Sequence, residues 1–392
     1  MPRKSFEVNI KPKILKWARE TVGFNYEEVS KRVSVTPDTI LKWESGEKNP
    51  TLVQLKKLSK VYKRPLAAFF LSEPPKEPPL PKDYRSLPAN QIKPFSLKTR
   101  LAIRRARRLQ KLALELSEIT ERKIATHLKK IYSTDPPEDV ALSVRKWLGI
   151  TIEDQFEWKN ETQAFMEWKK AIENQGILIF QMPMPLDETR GFSLTDGEIP
   201  AIVLNETDAI NARIFSLFHE LGHILLNEGG LCDMGEDFAS STESTSLEIF
   251  CNHFAGAILV PKTILLNHPL VKPISKTSVW LDDDLRNIAR DFKVSKEVIL
   301  RRLVILDLAS LTFYKKKRDE WQLQTKELMK KRKKGGRANP SKKCLQENGT
   351  PIVSLVLNSY RKDKITYSDV ADYLSIRLKH VPKVEHLLEG SA

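Results

Sequence analysis

The sequence predicts a multidomain protein that is mostly α-helical with an α+β centre. Apolar residues recur at helical intervals through most of its 392 residues, and strand-like apolar runs lie at residues 177–180 and 199–204. Prolines crowd residues 74–94, which excludes a helix or a central strand there. We expect domains at residues 1–72, 96–310 (with a core at 172–306) and 346–392, joined by a proline-rich linker at 73–95 and a basic segment at 311–345 that contains a turn-forming break at 335–340.

Charge is distributed unevenly along the chain. The sequence has 65 Lys and Arg against 50 Asp and Glu, a formal charge of +15. Residues 1–72 carry 15 basic against 7 acidic side chains and residues 315–343 carry 13 against 3, whereas residues 151–270 carry 6 against 19. Basic segments can neutralise phosphates, and the acidic middle is a poor surface for DNA. A basic run such as 330–334 can also be only a solvated face or a tail.

Apolar runs and cysteines predict the compartment. The longest apolar runs, such as 177–180 and 257–260, are far shorter than the roughly 20 residues of a membrane span. The N-terminus lacks the apolar region of a secretory signal, and the three cysteines are an odd number without CxxC spacing. We therefore expect a cytoplasmic protein without a membrane partner.

Residues 9–72 predict four short helices. Pro12 suits the first turn of a helix that ends before Gly23. Asn25 followed by Glu28 is a capping box for the second helix, and Thr36 caps a third that ends at Gly46. The fourth spans Leu52 to Tyr62. Its predicted inward residues are Leu52, Leu55, Leu58 and Val61.

The second and third helices have the spacing of a helix-turn-helix, which presents its second helix to the DNA major groove. Residues 29–36 and 40–46 resemble those of Xre/Cro-type repressor domains. The resemblance implies a double-stranded DNA operator as partner and a homodimer on paired half-sites. It further implies that Thr36, Asp38, Thr39 and Lys42 face base edges or the DNA backbone and that Lys48 and Thr51 contact phosphates.

Three positions depart from the family pattern. Tyr26 stands where the family usually has a glutamine that contacts phosphate, and Ser30 and Ser34 replace the usual alanine and glycine of the turn. The alternative interpretation of this domain is a packing module or a protein-binding derivative of the fold. The excess of basic residues in 1–72 favours DNA binding.

Helical periodicity continues through the centre of the chain. It predicts a long amphipathic helix from about residue 96 to 130 and shorter helices at 137–148 and 161–174. Residues 285–306 have the rhythm of a second helix-turn-helix, for which we favour a packing role. Residues 352–388 predict a helical hairpin.

The most specific motif is HExxH, formed by His219, Glu220 and His223. Histidines at i and i+4 of a helix lie on one face, so both imidazoles can reach one Zn2+ ion at about 2.0–2.1 Å. A glutamate beside the first histidine is placed to act as a general base. The flanking residues 213–226 are largely apolar, which predicts a buried helix.

A third ligand is required, because two histidines do not hold a catalytic zinc. Glu248 and Asn252 lie one turn apart on the next predicted helix, so Glu248 can bind the metal while Asn252 hydrogen-bonds a ligand histidine. His253 and Cys251 are alternatives, but each points about 100° away from Asn252 on the helix. We favour Glu248. A closed structural zinc site fits less well, because such sites are usually rich in thiolates.

Residues 172–306 resemble the ImmA/IrrE-type zinc metallopeptidases. The residues that carry the resemblance are 172–180, 190–193, 202–205, 219–223 and 248–261. The family implies a gluzincin-like metallo-endopeptidase with a small sheet, with His219, His223 and Glu248 as zinc ligands and Glu220 as catalytic base. Phe250 and Cys251 stand where the family usually has Glu-Ala, which opens a redox or a packing role for Cys251.

Together, the two resemblances predict a DNA-binding transcriptional regulator with a zinc-dependent endopeptidase domain. The expected substrate is a helix-turn-helix repressor, either a partner or the chain itself at residues 71–98, whose cleavage relieves repression. One alternative is a non-enzymatic transcription factor or antitoxin that uses the metal fold for sensing or structure. Another is a peptidase whose N-terminal domain binds protein.

Overall fold

The computed structural model describes residues 6–83, 94–121, 124, 126, 128–232, 243–272, 279–331 and 339–390. Contacts divide the chain into two compact units. One comprises Met1–Leu80 with Ala89–Arg104, and the other comprises Pro81–Pro88 with Arg105–Ala392. No helix within the described ranges is both long and apolar enough to cross a membrane. The glycines of the predicted break, Gly335 and Gly336, lie outside the described residues.

The first unit contains the four predicted helices. They are α1 (Pro12–Val22), α2 (Tyr26–Val33), α3 (Pro37–Ser45) and α4 (Leu52–Tyr62), followed by a 3-10 helix at Leu66–Phe70. Asn25 and Glu28 form the predicted capping box, and the Thr36 hydroxyl accepts a hydrogen bond from the Thr39 amide. Gly23 ends α1 in the left-handed conformation, at φ +74°. Local capping therefore sets the bounds of these helices.

The core of the first unit is apolar and continuous. It includes Ile14, Leu15, Val29, Val33, Ile40, Trp43, Leu55, Leu58, Tyr62 and Phe69. The prediction for α4 was wrong in part, because Leu52 and Val61 are only partly buried. The stripe formed by Leu55, Leu58 and Tyr62 faces the core, and Leu52 and Val61 lie at its margins.

Fourteen helices follow in the described residues. They are α5 (Leu97–Ile119), α6 (Pro137–Leu148), α7 (Ile152–Glu157), α8 (Glu161–Glu173), α9 (Ile210–Leu225), α10 (Glu243–Leu259), α11 (Lys262–Leu266), α12 (Asp282–Phe292), α13 (Lys296–Ile305), α14 (Leu311–Lys331), α15 (Pro340–Asn348), α16 (Thr350–Arg361), α17 (Tyr367–Leu374) and α18 (Val381–Glu389). The predicted helices at 137–148 and 161–174 are confirmed as α6 and α8. The helix α15 crosses position 346, where a domain boundary was predicted, and the predicted hairpin at 352–388 consists of α16, α17 and α18.

Helix α5 ends about ten residues before its predicted end. The Thr120 hydroxyl donates a hydrogen bond to the Leu116 carbonyl at 2.7 Å, which satisfies one of the terminal carbonyls. Glu121 then adopts a left-handed backbone with φ +55°. The apolar pattern beyond residue 119 therefore does not belong to this helix.

One five-stranded sheet lies in the second unit. Its strands are β1 (Lys82–Asp83), β2 (Leu178–Met182), β3 (Gly191–Leu194), β4 (Ala201–Asn205) and β5 (Gly230–Cys232), in the order β1-β5-β3-β4-β2. β2 and β4 pair in parallel and are the two predicted strands, whereas β3 is antiparallel to β4 and β5. The sequence did not predict β1, β3 and β5 because runs of two to four residues show no periodicity. β1 is an edge strand, where nearby prolines are tolerated.

Helix α9 is the centre of the second unit. All of its residues from Ile214 to Leu225 are buried, as predicted. A β-carbon on Gly222 would lie 3.1 Å from Cys251 Sγ and 3.2 Å from a ring carbon of Phe254, so glycine at this position permits the close approach of α9 and α10. In α12 and α13, Leu285, Ile288, Phe292 and Ile299 are buried in the same core, which agrees with the packing role favoured for this segment.

Candidate metal centre and helix-turn-helix

Three potential metal ligands converge between α9 and α10. His219 and His223 lie one turn apart on α9, and their Nε2 atoms are 3.3 Å apart. The Glu248 carboxylate on α10 approaches both rings, with Oε2 3.2 Å from His219 Nε2 and Oε1 3.1 Å from His223 Nε2. All three side chains are buried. Within the described residues, this is the one group of three or more His, Cys, Asp or Glu side chains close enough to hold an ion.

The spacing of these atoms fits a single zinc ion. Ligands held at about 2.0–2.1 Å in tetrahedral geometry lie about 3.3 Å from one another. The observed separations of 3.1 to 3.3 Å match that value. Two imidazoles with one carboxylate, leaving one position open, are the donor set of catalytic rather than structural zinc sites.

Asn252 fixes the orientation of one histidine. It lies one turn after Glu248 on α10, and its Oδ1 is 2.9 Å from His219 Nδ1. An amide oxygen only accepts, so the hydrogen-bond network assigns the proton to Nδ1 and leaves the Nε2 lone pair of His219 facing Glu248 and His223. Asn252 therefore contacts His219, and its role as the partner of a ligand histidine stays a prediction.

Glu220 is the residue after His219 on α9, and its side chain lies against strand β3. Its side chain is only 1% exposed, and a β-carbon on Gly191 would lie 3.3 Å from its Oε1 atom. Burial raises the pKa of Glu220 to about 8, and Glu248 adds to this rise, whereas His223 and Ser193 oppose it. The Oε2 atom makes no hydrogen bond within the described residues. A buried carboxylate beside a group of potential metal ligands, with its pKa shifted by burial and by charged neighbours, is a candidate functional group.

The two alternative ligands face other parts of the core. His253 Nε2 lies 2.9 Å from Glu138 Oε1 on α6, so His253 is engaged away from the metal centre. Cys251 is buried against α9, and burial raises the pKa of its thiol well above the usual range. The structure thus supports a packing role for Cys251 rather than a redox role.

Comparisons with known families cover both of these regions. Residues 172–304 match the family model of the IrrE N-terminal-like domain, a peptidase family, and residues 15–69 match that of the helix-turn-helix. The chain joins an Xre-type helix-turn-helix domain to an ImmA/IrrE-type peptidase domain. No curated protein and no solved structure matches the chain. The two matches assign a DNA-binding type of domain to the first unit and a metallopeptidase type of domain to the second.

The expected DNA-contact residues of the helix-turn-helix lie at the start of α3 and in the segment after it. Thr36 and Asp38 are exposed, and Lys42 pairs with Asp38 at 2.8 Å. The Thr39 hydroxyl lies 2.8 Å from that of Thr36, so both contribute to the helix cap. Lys48 is exposed between α3 and α4. Thr51 caps α4, where its hydroxyl and amide both bond with Gln54, so an incoming phosphate would compete with this capping box.

Tyr26 has a structural role in this domain. Arg19 forms a bidentate ion pair with Glu44 at 2.8 and 2.9 Å, and the Tyr26 hydroxyl donates to the same carboxylate at 3.3 Å. The Arg19 guanidinium also stacks on the Tyr26 ring, 4.3 Å from its centroid. These contacts link α1, α2 and α3, which gives a physical reason for a tyrosine in place of glutamine at this position.

Sequence reasoning missed several buried polar contacts of the second unit. The Glu138 carboxylate accepts two hydrogen bonds from the guanidinium of the fully buried Arg302, at 2.7 and 3.0 Å. It also contacts His253. Burial opposes ionisation of Glu138, but the hydrogen bonds from His253 and Arg302 outweigh it and lower its pKa to about 2. Ser193 and Gly191 were noted only within the family pattern, not as neighbours of Glu220. No sequence signal links positions this far apart in the chain.

Proposed function

We propose that the chain is a DNA-binding transcriptional regulator whose zinc-dependent endopeptidase domain cleaves a helix-turn-helix repressor. The substrate is a partner repressor or this chain itself, cut within residues 71–98. Cleavage separates the DNA-binding domain from the rest of the substrate and relieves repression. On the operator, the chain acts as a homodimer that reads paired half-sites.

The observation that carries the enzymatic part is the buried Glu220 beside the three converging ligands. A pocket that served only for structure would have no use for a further buried carboxylate beside the three ligands. We assign His219, His223 and Glu248 as the zinc ligands, Asn252 as the residue that orients His219, and Glu220 as the general base. The match of residues 172–304 to a peptidase family supports these roles.

The chemistry follows from the positions of these groups. A bound zinc ion acts as a Lewis acid that polarises a peptide carbonyl and acidifies water. Glu220 accepts a proton from the attacking water and passes it to the leaving amine as the peptide C–N bond breaks. The Glu220 side chain is therefore ionised again at the end of each cycle. Burial raises the pKa of Glu220, and a cation held by the three ligands would oppose this rise and favour the ionised carboxylate that acts as the base.

The decisive experiment compares the wild-type chain with Glu220→Gln. Each protein is loaded with zinc and incubated with neighbouring helix-turn-helix repressors and with an inactive copy of this chain, with and without a chelator. We expect zinc-dependent fragments from the wild type and a rate at least about 100-fold lower for Glu220→Gln. Glu157→Gln, at an exposed position on α7, serves as the matched control and is expected to cleave normally. Cleavage that persists in Glu220→Gln or in chelator would rule the mechanism out.

Operator binding is tested separately from cleavage. We expect Lys42→Ala and Lys48→Ala to weaken DNA binding and to reduce its dependence on salt, because both side chains are assigned to DNA contacts. If Glu220→Gln leaves both operator binding and regulation in cells unchanged, a non-enzymatic transcription factor or antitoxin is the better description. If no salt-dependent DNA binding is found, the N-terminal domain binds protein instead.

A further inference from the structure

Helix α3 carries a leucine that the first unit leaves exposed. Leu41 is 49% exposed, although Ile40 and Trp43 of the same helix are buried, and it lies outside the apolar cluster that forms the core of this unit. At about 100° per residue, Leu41 lies about 60° around the helix from Asp38 and about 160° from Trp43. It therefore belongs to the outward face of α3, together with Asp38 and Lys42.

The polar side chains of this face and of the helix start are engaged with one another. Asp38 pairs with Lys42 at 2.8 Å, and the hydroxyls of Thr36 and Thr39 lie 2.8 Å apart at the N-terminus of the helix. A base that hydrogen-bonds to one of these groups must replace a contact that is already present, so the net gain is small. Leu41 gives up no hydrogen bond when it meets a partner.

The charges on and next to α3 are balanced. Residues 36–48 contain three acidic and two basic side chains, and one of the acidic ones, Glu44, is paired with Arg19 at 2.8 Å. The excess of basic side chains in residues 1–72, which is 15 against 7, therefore lies outside this segment. Attraction to phosphates is supplied by the rest of the domain, and α3 is left to contact base edges.

The major groove offers a leucine one complementary group. Each base edge there presents hydrogen-bond donors and acceptors, and thymine adds the apolar C5 methyl group. A helix-turn-helix domain places its second helix, which is α3 in this chain, in the major groove. An exposed leucine on that helix gains free energy by covering a methyl group, whereas covering a polar base edge removes water that the leucine cannot replace.

We propose that Leu41 is a specificity-determining residue that contacts the C5 methyl group of a thymine in the operator. This inference rests on the operator binding proposed above and extends it to one base and one group of that base. Uracil lacks only this methyl group and keeps the hydrogen-bonding groups and the pairing of thymine. Replacing thymine by uracil therefore isolates the contact.

The test begins with an operator selected from a random duplex library by the full-length chain. Every chain in the test carries Glu220→Gln, so that cleavage cannot remove the DNA-binding domain. Each thymine of the selected duplex is replaced by uracil, one at a time, and the dissociation constant is measured by fluorescence anisotropy at constant salt. We expect at least one replacement to weaken binding by about three- to fivefold, the effect of one buried methyl group.

The same duplexes are then titrated with the Leu41→Ala chain. We expect the sensitive replacement to change its affinity by less than about 1.5-fold, because the side chain that covers the methyl group is gone. The matched control is Leu142→Ala, which makes the same change at a leucine that is 54% exposed on α6 of the second unit. This control should respond to uracil as the parent chain does. Thermal melting and sedimentation check the fold and the oligomeric state of each variant.

Each other outcome has a defined meaning. The proposal is overturned if no uracil replacement weakens binding, or if the sensitive thymines stay equally sensitive in the Leu41→Ala chain. It is also overturned if Leu41→Ala loses DNA binding because the chain no longer dimerises, since Leu41 would then be a subunit contact. A selected sequence that is insensitive to the methyl group leaves operator binding intact and removes only this inference, whereas absence of salt-dependent DNA binding removes both.

Discussion

The two units of the chain depend on different kinds of interaction. In the first unit, the helix bounds are set by capping residues within three or four positions of the helix ends, such as Asn25 with Glu28 and Thr36 with Thr39. In the second unit, the functional side chains are held by partners far away in the chain. His219 contacts Asn252 across 33 positions, and Arg302 contacts Glu138 across 164. The helix bounds of the first unit are therefore set largely by local chemistry, whereas the functional side chains of the second unit are placed by tertiary contacts.

This difference predicts where substitutions are most costly. A cap contributes about 1 kcal/mol, because water can replace its hydrogen bond at an exposed helix end. A buried charge that loses its partner costs several times more, because water cannot reach it. The following predictions test this contrast, in order of decreasing effect.

The largest expected effect comes from Arg302→Met. Arg302 is fully buried, and its replacement removes both hydrogen bonds to Glu138 and one to the Val260 carbonyl. We expect the free energy of unfolding of the second unit to fall by about 3–5 kcal/mol, measured by urea denaturation. Arg286→Met removes an exposed ion pair with Asp283 and is expected to cost about 0–1 kcal/mol. Similar losses of unfolding free energy in Arg302→Met and Arg286→Met would show that burial does not determine how much an arginine ion pair contributes to stability.

A second prediction concerns the pH dependence of the same network. The pKa of Glu138 is lowered from 4.5 to about 2 in the folded chain. Its ionised form therefore stabilises the fold above pH 4.5, and this contribution disappears as the pH falls towards 2. We expect the free energies of unfolding of wild type and Glu138→Gln to differ by at most about 3 kcal/mol above pH 4.5. This difference should shrink as the pH falls from 4.5 to 2. A difference that stays constant down to pH 2 would contradict the assignment.

A smaller effect is expected for Asn252→Ala. This change removes the acceptor that orients His219 but leaves the three proposed ligands in place. We expect zinc affinity to fall by about 10- to 100-fold, measured by competition with a chromophoric chelator. The matched control is Asn267→Ala, at an exposed residue whose side chain donates to the nearby Thr263 carbonyl, and it should leave the affinity unchanged. Equal zinc affinities of wild type and Asn252→Ala would show that Asn252 does not contribute to metal binding.

The smallest effect is expected in the first unit, at the turn between α2 and α3. Ser34 adopts a left-handed conformation with φ +64°, which glycine tolerates better than serine. We therefore expect Ser34→Gly to raise the free energy of unfolding of the first unit by up to about 1 kcal/mol. Lys56→Gly, at an exposed position within α4, should lower it by about the same amount. Destabilisation by Ser34→Gly would show that the serine makes a compensating contact.

The same contrast explains which features could be predicted. The bounds of α1 to α4 follow from Pro12, Asn25, Thr36 and the glycines, because capping chemistry acts within a few residues. The end of α5 was mispredicted because apolar periodicity continues past it, while the Thr120 back-bond and the left-handed Glu121 end the helix. The strands β1, β3 and β5 were missed because their length and pairing depend on neighbours from elsewhere in the chain.

The amino-acid sequence by itself determined the helix-turn-helix and the pairing of His219 with His223, since both depend on spacing within single helices. It also placed Glu248 and Asn252 on one helix face. Only the tertiary structure decided that this face meets His219 and His223, through the close approach of α9 and α10 at Gly222. It also decided that His253 turns to Glu138. Such contacts join distant positions, and their energies depend on burial, which no local pattern records.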